Sequence, residues 1–274
     1  MFRFTTILAV GAMSAASSAH ALTISATDDA NALADALIGT GVTITSSSLS
    51  GATPTAAGGF GDGLSAGIGI EEGVILTSGD ANLAPGPNTA DNATGGGTQT
   101  TLSISFTTTT GDLFFNYVWA SEEYNEFVNS AFNDTFEFLL SGPGITGSQN
   151  IALIPGTNDP VEIDTVNNNV NSDLFNDNDF GDFGGSTPFD IEYDGFTDVF
   201  TASATGLNIG DVYTIDLIVS DVGDTAFDSA VFIQGESFGG VTPPDTPSPI
   251  PLPASLPLML AGLGVFGFLR RKMR

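Results

Sequence analysis

From Leu22 to Leu269 the chain contains no lysine, no arginine and no histidine. Its basic residues are Arg3 near one end and Arg270, Arg271, Lys272 and Arg274 at the other; its one histidine is His20. All 32 Asp and Glu lie inside that window, so the central body has a formal charge of −32 and cannot form one salt bridge between side chains. Where three or four of its carboxylates converge, they must either protonate or take a cation.

This excludes much chemistry. No His general base, no Ser-His-Asp or Cys-His nucleophile and no Schiff-base lysine is available. Zinc sites of Cys and His are ruled out, as are arginine clamps for phosphate. A polyanionic body repels nucleic acid, whose binding needs Lys and Arg. Carboxylates, amides and hydroxyls remain, which are the hard oxygen ligands of calcium. There is no cysteine, so an exported chain of this kind has no disulfide staple and depends on a sizeable core or a bound ion. Its length permits a single all-β domain.

Both ends carry export signals. "MFRFTTILAVGAMSAASSAHA" has one Arg, a short apolar run and an A-x-A site at Ala19-His20-Ala21, the pattern of a secretory signal over 1–21. The other end has a Pro-rich linker (240–249), then Ile250-Pro251-Leu252-Pro253-Ala254, an apolar run and the basic cluster. The 14 residues from Leu256 to Leu269 span about 21 Å as a helix. That is short for a hydrocarbon core of about 30 Å. The basic cluster places the C-terminus on the cytoplasmic side, so the expectation is an inner-membrane helix that is held and then processed, with a short permanent anchor as the alternative. The tail (250–274) resembles the VPLPA variant of PEP-CTERM sorting signals, with Ile in place of the first Val. The resemblance implies an exosortase as processing partner.

The body between the signals alternates with period two. "TLSISF" puts Leu102, Ile104 and Phe106 on one face, "DTFEFLL" does so with Phe136, Phe138 and Leu140, and "VYTIDLIVSD" with Tyr213, Ile215, Leu217 and Val219. Further apolar runs occur at 42–44, 74–77, 113–119, 151–154, 161–166, 198–202 and 230–234, separated by Gly, Asn, Asp and Pro. The expected fold is all-β, an antiparallel sandwich or jelly-roll-like domain over 22–239. One short N-terminal helix is expected in "DDANALADALIG" (28–39), capped by Asp28 or Asp29, with Leu33 and Leu37 on one face.

Several blocks of this body, in order, resemble the bacterial choice-of-anchor L domain: "GVILTSG" (73–79), "GPN" (86–88), "FNYVWASEEYNEFVNSAFNDTFEFLLSGPG" (115–144), "NIALIPGT" (150–157), "EYDGFT" (192–197) and "SDVGDTAFDSAVFIQGESF" (220–238). Trp119 stands where the family pattern has Phe. The resemblance implies a surface or secreted bacterial protein and brings no enzymatic activity with it.

Two acidic blocks draw attention. Glu122, Glu123 and Asp134 form one; Asp221, Asp224 and Asp228 form the other, with Gly223 easing a turn. Two carboxylates about 5 Å apart repel by roughly 3 kcal/mol at an effective dielectric near 20. With no base to share the charge, the expectation is that both blocks approach each other and hold one Ca²⁺. The structural alternative is that neighbouring Glu122 and Glu123 point to opposite sides of a strand, that one caps a turn or faces water, and that Asp221 makes an Asx turn. A third acidic stretch, 171–185, fails EF-hand spacing: counted from Asp177, position 12 is Pro188. It reads as a solvated loop, though Phe175, Phe180 and Phe183 need cover. Gly61-Asp62-Gly63 reads as a turn, and Tyr117 with Trp119 as core.

The function expected is non-enzymatic: an exported, calcium-stabilised cell-surface or extracellular-matrix protein, its partners an exosortase and extracellular polysaccharide or another surface protein. One alternative is a glycosidase or lyase using Glu122 or Glu123 with Asp134, which needs two carboxylates facing across a cleft. The other is a structural surface-layer protein.

Overall fold

The computed structural model describes residues 21–51, 53–90, 99–223 and 225–244. The expected signal peptide (but for Ala21), the sorting tail and Asp224 lie outside the described residues.

The body is a sandwich of two antiparallel sheets. The smaller has the order β2–β5–β12–β7–β8: β2 (Val42–Ser50), β5 (Gln99–Thr108), β12 (Val212–Ser220), β7 (Thr135–Ser141) and β8 (Gln149–Asn150). The larger runs β1 (Thr23–Ala26), β3 (Ala57–Gly61), β4 (Gly73–Thr77), β13 (Ser229–Gln234), β6 (Asp112–Ser121), β10 (Gly195–Thr197) and β9 (Phe175–Asp177). A further strand, β11 (Phe200–Thr205), pairs with the first half of β6, and β10 pairs with its end.

The three alternating strands read from the sequence put their apolar faces inward. Leu102, Ile104, Phe106, Phe136, Phe138, Leu140, Tyr213, Ile215, Leu217 and Val219 are all buried in the core between the sheets. Leu113, Phe115, Tyr117 and Trp119 of β6 meet them from the other side. Trp119 stacks on Phe136 with centroids 4.7 Å apart, and Tyr117 meets Phe138 edge-on at 5.0 Å. Such pairs add about 0.5–1.5 kcal/mol each beyond the area they bury.

A second core covers the outer face of the large sheet. Val118 and Ala120 of β6, Ala230 and Phe232 of β13 and Ile75 of β4 pack there against Ile68, Phe189, Ile191, Tyr193 and Phe196. Strands β4, β6 and β13 are therefore buried on both faces near their centres, which explains their continuous apolar runs.

The helix is α1 (Ala30–Leu37); Asp29 caps it, its Oδ1 accepting from the backbone of Asn31 (3.0 Å) and Ala32 (3.2 Å), and Leu33 and Leu37 are buried. It ends before Gly39, because Ile38 turns extended and bridges to Phe238. Two expected strands do not form. Residues 151–154 and 161–166 bury all their apolar side chains except the partly exposed Leu153 but make only isolated bridges, Leu153 to Pro160 and Thr135 to Glu162. Pro155 and Pro160 deny that segment a continuous ladder. The solvated-loop reading of 171–185 fits its two ends and fails in the middle: 171–173 and 181–185 are exposed, but 175–177 form β9 and Asn178 and Asp179 are buried.

Candidate functional site

The two acidic blocks meet at one end of the large sheet. Ser121 is opposite Ser229 on one side and Gly195 on the other, and Gly195 is opposite Asp177. One row further, the same registers align Asp228, Glu122, Asp194 and Asn178 across four neighbouring strands. The ladder continues through that row: Glu122 N–H donates to Asp228 O (3.1 Å), and Asn178 N–H to Asp194 O (2.8 Å). Glu122, Asp228 and Asp194 are each no more than 3% exposed.

Side chains alternate across the sheet, so successive rows serve opposite faces. The row of Ser121 and Ser229 points inward, continuing the face of Trp119 and Val231. Asp134 comes to meet it from the small sheet, where it precedes Thr135, the partner of Ser220. Asp134 is fully buried. Its Oδ1 accepts from Val222 N–H and its Oδ2 lies 2.8 Å from Ser229 Oγ. Ser229 Oγ is also 2.7 Å from Ser121 Oγ, which accepts from Glu123 N–H at 2.9 Å. Ser229 Oγ is thus placed to donate to either Asp134 Oδ2 or Ser121 Oγ. The result is a hydrogen-bonded chain from the Glu123 amide through Ser121 and Ser229 to Asp134 that ties the two sheets together. Asp221, the residue after β12, follows the same inward parity opposite Asp134.

The row of Asp228, Glu122 and Asp194 serves the outer face, beneath Tyr193. Thr77 Oγ1 donates to Asp228 Oδ2 at 2.8 Å. Burial pushes the Tyr193 phenol well above its ordinary value, and the negative charges of Asp228, Glu122 and Glu192 push it further. All three carboxylates are thus near that ring. Glu122 and Asp228 are consequently separated from Asp134 and Asp221 by the thickness of a sheet. The six expected ligands form two neighbouring groups, with Glu123 (1% exposed) at the turn between them and Asp224 outside the described residues. Among the described residues no three Asp, Glu, His or Cys side chains are by themselves arranged to enclose a metal ion, so a cation here needs neutral oxygens as well.

Sequence reasoning missed the partners brought in from afar. Asp194, Glu192, Asn88 and Asn178 are buried at this end. Asn178 is fully used: its amide donates to Ile191 O (3.1 Å) and Tyr193 O (3.0 Å) and accepts from Phe189 N–H (3.0 Å). It thereby pins the loop that carries Glu192 and Asp194. Asn88 Nδ2 donates to Asn178 O (3.1 Å) and to Asp194 Oδ1. The available signal was that "GPN" and "EYDGFT" are separate blocks of the family pattern, each with a polar residue that a turn alone does not require.

None of the open grooves described is lined by Glu122, Glu123 or Asp134. One of them, about 500 Å³, runs beside β7 and β8 and is lined by Glu137, Gln149, Asn150 and Glu162 among others.

The chain matches no curated protein and no solved structure. Family models do match it: residues 249–274 fit the PEP-CTERM protein-sorting motif and residues 23–239 the choice-of-anchor L domain. The sorting motif marks an exported protein of the cell envelope or surface for exosortase processing, and the body over 23–239, nearly the whole described extent, belongs to the choice-of-anchor L family.

Proposed function

We propose that this protein is a non-catalytic module of the cell surface or extracellular matrix, stabilised by calcium at the acidic end of its sandwich and associated with extracellular polysaccharide or another surface protein. The signal over 1–21 exports it, the linker at 240–249 spaces it, and the tail over 250–274 holds it in the inner membrane until the exosortase acts. One observation carries the calcium reading. Buried carboxylates from four distant segments converge at one end of the large sheet, in a body with no cationic side chain between Leu22 and Leu269. Calcium suits this setting because it accepts six to eight oxygens of mixed kind in flexible geometry. Cations shared with its exposed carboxylates would in turn let a polyanionic surface face acidic polysaccharide, which it would otherwise repel.

Calorimetric titration of chelator-stripped protein with CaCl₂ is expected to show saturable binding. No binding up to millimolar calcium ends the proposal. Burial argues against the glycosidase or lyase reading, since Glu122, Glu123 and Asp134 are 3%, 1% and 0% exposed and touch no polymer from those positions. A surface-layer role is distinguished by light scattering: sheets or fibres on adding calcium favour it, and a stable monomer favours the module.

A further inference from the structure

Asn88 carries an observation that the acidic cluster alone does not. It is 2% exposed, yet its carboxamide oxygen Oδ1 meets no hydrogen-bond donor. A buried amide oxygen without a donor has lost its water and gained nothing in exchange. The other arm of the same carboxamide, Nδ2, is committed to Asn178 O and to Asp194 Oδ1. The carboxamide is therefore held beside Asp194, which lies across from Glu122 in the register of β10 and β6. Hydrogen bonds join the 86–88 loop there to the segment entering β10, and the end of β6 is the neighbouring strand.

We propose that Asn88 Oδ1, Asp194 and Glu122 hold a divalent cation, calcium by its donor set, on the outer face of the large sheet. This rests on the calcium reading above and assigns it a site centred on a residue outside both acidic blocks. The donors are one amide oxygen and two carboxylates, all hard oxygens, with the carbonyl of Asn178 beside them. That mixture suits calcium better than magnesium, which demands near-ideal octahedral geometry and keeps much of its water. The cation gives the amide oxygen its missing partner and neutralises neighbouring carboxylates in the same step. Its position beneath Tyr193, at the junction of β13, β6, β10 and β9, also fastens the covering loops to the sheet.

Two replacements of Asn88 separate a ligand from a merely structural amide. Asn88→Leu keeps the approximate shape and removes the oxygen. Asn88→Asp keeps the oxygen and adds charge opposite Asp194. If Asn88 only positions Asp194, Asp is the worse replacement, because it sets two carboxylates face to face. If Asn88 is a ligand, Asp is the better one whenever calcium is present. The expected result is that N88D binds calcium at least as tightly as the wild type and melts far lower in chelator than in calcium. N88L is expected to lose one bound ion, or roughly 10-fold or more in affinity. The inference is overturned if N88L keeps the wild-type stoichiometry and affinity, or if N88D is as unstable in excess calcium as in chelator. N88D decides alone if N88L does not fold. A wild-type protein that takes up no calcium removes the broader reading as well, whereas normal wild-type binding with an unaffected N88L removes this site only.

Discussion

Asp134 offers a quantitative test of how the two sheets are joined. Its carboxylate accepts from Val222 N–H and Ser229 Oγ–H, both at 2.8 Å, in a fully buried position. Hydrogen bonds to a charged group contribute about 1.5–3 kcal/mol each, so Asp134→Ala removes roughly 3–6 kcal/mol. Relief of repulsion with partly buried Asp221 returns on the order of 1 kcal/mol, in the range of partly solvated charge pairs. The net loss is about 2–5 kcal/mol. With a urea m-value of about 2–3 kcal/mol/M for a domain of this size, the unfolding midpoint falls by roughly 1–2 M at constant m. Asp134→Asn keeps an acceptor for Val222, while Ser229 can turn to accept the new amide proton. Its expected loss is about 1 kcal/mol. The measurement is equilibrium urea unfolding in calcium, followed by Trp119 fluorescence. An Asp134→Ala protein within about 0.5 kcal/mol of the wild type would refute the serine chain as the tie between sheets.

Two further outcomes follow from the packing. Burial raises the phenols of Tyr117, Tyr124 and Tyr193 above their ordinary value of 10.0. A raised folded pKa gives stability that is complete below the unfolded pKa and is lost as pH rises through the window above about 10; the loss approaches about 1.4 kcal/mol per pH unit for each such group, and tyrosinate absorbance should therefore appear together with unfolding, a gradual titration of the folded state being the contrary result. At Gly195 a Cβ would sit 2.6 Å from the Phe175 ring and 2.8 Å from Tyr124 Cδ2, so Gly195→Ala is expected to destabilise by about 1–3 kcal/mol, seen as a melting point lowered by roughly 2–10 °C; an unchanged melt would mean that these rings move aside freely.

What the sequence disclosed, and what it hid, follows from the range of the forces involved. Period-two alternation is local, so the inward faces of β5, β7 and β12 could be read residue by residue. Capping is local too, which is why α1 starts where an Asp precedes an apolar pair. Beyond its opening Val-Thr-Ile, β2 reads Ser-rich and polar; it extends to Ser50 because β5 offers it a ladder, a tertiary effect that outweighs weak propensity. Strands β9 and β10 are three residues each, too short for any period to show. The acidic blocks were visible as density of charge. Their division between two faces was not visible, because it depends on the register of β13 against β6. Asn88 and Asp194 are 106 residues apart, and nothing local marks either as a partner of the other.

At the centre stands the claim that a body without cationic side chains takes its counter-charge from bound metal. Thermal unfolding of one preparation, scanned in excess chelator and again in calcium at about 100 times its dissociation constant, tests it most directly. Mass action gives about 2.7 kcal/mol of stabilisation under those conditions, or a melting point higher by roughly 5–10 °C, with magnesium giving less. Superimposable melts in chelator and in calcium would contradict it.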